Sequence, residues 1–111
     1  MKKYILCSFV LMTLFFAFRE QESKTIYIIG DSTAANKDSR TFPETGWGMA
    51  FAKMFDQQVK VDNRALNGRS SKSFRHDVAK DGSFEDHWQP IFQHLRRGVY
   101  VFLQFRHNDE K

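Results

Sequence analysis

Three short apolar runs, each ending in a polar, turn-forming loop, set the pattern of this chain. Thr25-Ile26-Tyr27-Ile28-Ile29 is β-branched and aromatic, and it runs into Gly30-Asp31-Ser32-Thr33-Ala34. Such a run reads as a buried strand. Val59-Lys60-Val61 leads into Asn63-Arg64-Ala65-Leu66-Asn67-Gly68-Arg69-Ser70-Ser71, and Val99 to Phe105 leads into Arg106-His107-Asn108-Asp109. Between the runs the apolar period changes to that of a helix. Trp47, Ala50, Phe51 and Met54 share one face of a helix predicted from Gly46 to about Phe55, with Thr45 as its cap. Trp88, Ile91, Phe92 and Leu95 do the same on a helix predicted from about Phe84 to Leu95, stopped by Gly98. Asn36 to Glu44 reads as a polar loop punctuated by Phe42-Pro43, and Ser70 to Ala79 as a short helix or turn. Asp81-Gly82-Ser83 breaks the chain. Strand, helix, strand, helix, strand argues an α/β domain on a parallel sheet with right-handed crossovers.

The amino end has a different character. Met1-Lys2-Lys3, an apolar run from Tyr4 to Phe18 and the polar Arg19-Glu20-Gln21-Glu22-Ser23 form a secretory signal pattern over residues 1–23. The run is short for a membrane span. The expected location is therefore secreted or periplasmic, with no stable span once the signal is cleaved. Beyond Ser23 lie 14 basic and 11 acidic residues and no cysteine, so no disulfide staples this part. The sequence pI near 9.4 admits an acidic partner. The charges are scattered, and no aromatic-basic alternation of an RNA-binding kind appears, so nucleic acid is not the expected partner.

Open parallel sheets place ligand sites beyond the carboxyl ends of their strands. Ser32 occupies such a position, where a hydroxyl is a nucleophile if a base reaches it. The same residues can do something plainer: Asp31 or Ser32 can cap the next helix. Gly68 can be an ordinary turn glycine and Asn108 a strand-end cap. His107 and Asp109 are too few for a metal site.

Taken together, Gly30-Asp31-Ser32-Thr33-Ala34, then Asn67-Gly68-Arg69-Ser70-Ser71 with Ser73-Phe74, then Gln104-Phe105-Arg106-His107-Asn108-Asp109 resemble blocks I, II and III of the SGNH (GDSL-type) hydrolases. Within that superfamily they are most similar to the rhamnogalacturonan acetylesterases. The resemblance runs from about Lys24 to Lys111. It implies a flavodoxin-like, three-layer parallel sheet and hydrolysis of O-acetyl esters on an acetylated, acidic pectic polysaccharide, with no cofactor and no metal. It implies Ser32 as nucleophile, and the Ser32 N–H, the Gly68 N–H and the Asn108 side chain as oxyanion donors. Asp31 is expected to hold the Ser32 turn, and Arg69 to meet a uronate carboxylate.

Three departures from the family pattern stand out. The family's Asp-x-x-His block, which supplies the base, is absent from these 111 residues. Arg106 stands where the family has glycine, so strain or a covered serine is expected there. Val99 replaces an acidic residue that usually opens this strand. The expectation is a domain truncated after its third strand, with impaired catalysis and an apolar strand edge, Tyr100 to Phe105, open to aggregation or oligomerisation. The alternative expectation is a non-catalytic remnant that binds acidic glycan through Arg64, Arg69 and Arg106.

Overall fold

The computed structural model describes residues 2–4 and 23–110. All of the predicted signal segment except residues 2–4 and 23 therefore lies outside the described residues. Five strands follow: β1 (Lys24–Gly30), β2 (Val59–Asn63), β3 (Asp77–Val78), β4 (Phe84–Glu85) and β5 (Val99–Gln104). The helices are α1 (Trp47–Ala52), α2 (Ser71–Arg75), α3 (Gln89–Phe92) and α4 (Arg106–Asp109), with a single 3₁₀ turn at Ser39–Thr41. No described helix is long and apolar enough to cross a membrane.

The three long strands form one parallel sheet in the order β2-β1-β5. The central strand β1 is buried almost throughout, which explains its unbroken apolar sequence. Its alternate residues serve two cores. Ile28 packs with Ala34, Ala35 and Ala65, and Phe51 of α1 covers them. Tyr27 and Ile29 face Phe74, Ile91 and Phe105, which lie on α2, on α3 and at the end of β5. Helix, sheet and helix make the three layers that the family resemblance implied, on the parallel sheet that the strand-helix alternation predicted.

Local details differ from the sequence expectation. α1 is six residues, and its N-cap is Gly46 with no side-chain cap, not Thr45. Its buried residue is Gly48, while Ala50 is exposed and Met54 is 78% exposed. A Cβ on Gly48 would overlap the Asn63 side-chain amide and the Ala34 carbonyl, so the close approach of α1 to the loops requires glycine.

The helix predicted from Phe84 to Leu95 is a single turn, α3. Phe84 and Glu85 instead pair antiparallel with Val78 and Asp77, making a hairpin. Pro90 sits in the first turn of α3. A helix running in from Phe84 would lose a hydrogen bond at Pro90 and crowd its ring against the preceding turn. Asp86 Oδ1 caps the start by accepting from the Trp88 and Gln89 N–H groups, at 2.9 and 3.1 Å. Ile91 alone is buried there; Phe92 and Leu95 are exposed. Gly98 lies in the turn into β5 rather than at a helix end.

Candidate active site

Because β1, β2 and β5 are parallel, their three following loops emerge at one edge of the sheet, and hydrogen bonds tie them together. Arg64 N–H donates to Ile28 O at 2.7 Å and Leu66 N–H to Gly30 O at 2.9 Å, drawing the loop after β2 across the end of β1. Asp31 N–H donates to Gln104 O at 3.1 Å, joining the first loop to β5. Asn108 Nδ2 donates to Arg69 O at 3.0 Å, and Asp109 Oδ1 accepts the Ser71 N–H at 2.7 Å. The third loop is thereby clamped onto the second.

Ser32 is half-buried in a turn organised by Asp31. Asp31 is fully buried, and its backbone carbonyl accepts from Ala34 and Ala35 N–H groups. Its Oδ1 accepts the Thr33 N–H at 2.9 Å, the turn-holding part expected of it. Its Oδ2 is buried with no hydrogen-bond partner among the described residues. Thr33 Oγ1 lies 2.7 Å from Asp31 Oδ1 and 2.6 Å from Gln104 Oε1; its one proton serves one acceptor at a time.

Oxyanion binding needs donors that nothing else consumes. Among the described residues the backbone N–H groups of Ser32 and Gly68 have no acceptor. Asn108 spends one amide N–H on Arg69 O and keeps the second. Gly68 has φ +72°, a left-handed backbone in which a side chain is strained although the space around it is empty. α2 starts three residues later from a capping box, in which Ser70 Oγ accepts the Ser73 N–H and Ser73 Oγ accepts the Ser70 N–H.

The charged residues fall elsewhere than expected. Arg69 is paired with Asp77, Nη2 to Oδ2 at 2.7 Å, and His87 Nε2 reaches the same oxygen at 2.8 Å. First the His87 hydrogen bond and then the Arg69 guanidinium hold the Asp77 carboxyl below its ordinary 3.8, against partial burial. Arg64 is paired with Asp62 and Arg106 with Glu110. All three arginines expected to meet glycan thus already carry a carboxylate. Arg106 is also unstrained. It opens α4, no described residue other than glycine has a positive φ, and its side chain is 88% exposed.

No histidine hydrogen-bonds Ser32 among the described residues. His87 is held by Asp77, and His94 Nδ1 lies 2.6 Å from Pro90 O. His76 stacks on Phe84, and His107 lies exposed on α4.

Several residues that position the site were missed from sequence. Gln104 gathers contacts from Thr33 and from Trp47 Nε1; its signal was a polar residue closing an apolar strand. Asn63 donates to Ala34 O and Asn36 Oδ1 and accepts from Ala65 N–H. Lys37 has a side chain only 5% exposed, held by Glu44 Oε1 and Asn67 Oδ1. Nothing in the polar Asn36–Glu44 loop marked it.

The described residues thus place a serine behind the first strand of a parallel sheet in a three-layer α/β arrangement, with a left-handed glycine and an asparagine amide on the two neighbouring loops. The chain resembles the SGNH (GDSL-type) hydrolases in sequence and in fold. It is 35% identical over 86 residues to rhamnogalacturonan acetylesterase RhgT of Bacillus subtilis, covering 78% of this chain and 34% of that protein. It is 36% identical over 87 residues to rhamnogalacturonan acetylesterase of Emericella nidulans, covering 78% of this chain and 29% of that protein. The chain therefore spans about a third of the length of these relatives. A crystal structure of the Bacillus subtilis protein YxiM superposes with a TM-score of 0.62 at 30% identity, over 78% of this chain and 23% of that one. No family model matches the sequence.

Proposed function

We infer that the chain supplies the nucleophile and the oxyanion donors of a serine esterase that removes O-acetyl groups from a pectic, rhamnogalacturonan-type polysaccharide. The observation that supports this most is the set of unconsumed donors, Ser32 N–H, Gly68 N–H and the second Asn108 N–H, on three loops tied together at one sheet edge. Ser32 Oγ attacks the acetyl carbonyl carbon and its proton passes to a base. The carbonyl oxygen becomes an oxyanion that the three donors meet. Collapse expels the sugar oxygen, which takes up a proton, and leaves an acetyl-serine. Water then repeats the sequence and releases acetate.

The sugar and the acyl group come from the likeness to the named acetylesterases. The base is the part these 111 residues do not supply, since they contain no Asp-x-x-His. Acetate release from an acetylated rhamnogalacturonan, and hydrolysis of p-nitrophenyl acetate, test the reading. Ser32→Ala abolishes both, and Asn108→Ala lowers the rate by about a hundred- to a thousandfold. Equal rates in Ser32→Ala and the parent chain would rule it out.

A further inference from the structure

The β3–β4 hairpin and the loop carrying Arg69 enclose a groove of about 520 Å³ that includes Lys80, Ser83, Phe84 and Glu85 in its lining. Within it, Arg69 and Asp77 neutralise each other. Lys80 does not share that fate: it is exposed and has no partner among the described residues. Phe84 is 63% exposed, yet its ring is held in place by stacking on His76, with centroids 4.7 Å apart and planes at 26°. A large aromatic ring braced on one face and open to water is a platform for a flat, partly apolar ligand. A sugar ring has such a face, formed by its C–H groups.

We propose that this groove is a subsite for a uronate-bearing sugar. Phe84 stacks on the sugar ring and Lys80 meets the carboxylate. Glu85, whose carboxylate is 76% exposed, accepts from ring hydroxyls. Ser83 Oγ donates to Asp81 at 2.6 Å, which leaves it free to accept a further hydroxyl. Arg69 links the groove to the candidate active site, because its carbonyl holds the Asn108 amide. A bound glycan therefore runs from the hairpin toward the loop edge that carries Ser32. The contact with an acidic sugar expected of Arg69 passes to Lys80. The choice of a pectic glycan as occupant rests on the esterase reading; the groove chemistry does not.

Calorimetric titration of the Ser32→Ala chain with an unacetylated oligogalacturonate reads the subsite without any hydrolysis. Saturable binding is expected. Phe84→Ala weakens it about five- to tenfold, and Lys80→Ala about two- to fivefold, the Lys80 effect fading at high salt. Phe84→Trp keeps the platform and restores the affinity, which separates stacking from any effect on folding. Absence of binding, or affinity unchanged in both alanine variants, overturns the proposal. So does equal affinity for a neutral galactan oligomer. Failure of the esterase reading registers separately, as no acetate release by the parent chain.

Discussion

Asp77 illustrates how a residue with no motif around it can organise a site. Its Oδ2 is shared by Arg69 and His87, and Arg69 in turn presents the carbonyl that holds Asn108. The carboxyl lies below its ordinary value of 3.8 because the folded chain favours its charged form, through His87 first and Arg69 second. A group whose folded value is depressed contributes stability that is present above its unfolded value and lost as the pH falls through the folded one. The cluster therefore stabilises the chain fully above about pH 3.8, and that stability is lost progressively as the pH falls below it through the lower folded value. Asp77→Asn should lower the urea midpoint near neutrality and flatten its fall at acid pH. Parallel acid profiles for the parent and variant chains would contradict this.

At the scale of elements, two short helices are placed by steric fit more than by helix propensity. α1 lies close to the loops because Gly48 has no side chain to meet Asn63 and Ala34. Adding one there forces the helix away from β2 or displaces the Asn63 amide, which holds Ala34 O at 2.8 Å. Gly48→Ala should cost about 1–3 kcal/mol, read as a lower urea midpoint at an unchanged slope. A midpoint equal to the parent's would show that the helix has room to shift. α3 makes the complementary point. Its apolar period was legible, but Pro90 and the Asp86 cap fix its start near Gln89, and the residues before it form a hairpin.

At the scale of the whole molecule, the β5 edge of the sheet is open among the described residues. β5 pairs with β1 on one edge and with no strand on the other among the described residues. Tyr100, Phe102 and Leu103 are 51%, 40% and 67% exposed, and no charge interrupts Val99 to Phe105. Such an edge offers unpaired backbone groups and apolar side chains together, the combination that promotes strand-to-strand association. Concentration-dependent association is the expected behaviour, measured by light scattering, with Leu103→Lys reducing it. A monomer at every concentration, unchanged by that substitution, would count against the edge as the cause.

The sequence by itself determined the elements whose signals are local. Five β-branched or aromatic residues closed by Gly30 read as a buried strand, and three such runs separated by helical periods implied parallel pairing. Ser32, Gly68 and Asn108 were singled out together only by the resemblance to known sequence blocks; the parallel pairing of β1, β2 and β5 brings the loops that carry them to one edge. What only the tertiary structure decided were partnerships across sequence distance. Arg69 carries the same guanidinium whether it meets a sugar or Asp77, eight positions on, and the chain between does not say which. Lys37 reads as a solvated loop lysine until the loop folds it against Asn67, thirty residues on. The hairpin and its groove fit a chain in which Pro90 keeps α3 from extending back to Phe84, which pairs with Val78 instead. Periodicity reports which face a residue turns to the core; it carries no information on which polar group waits on the other side.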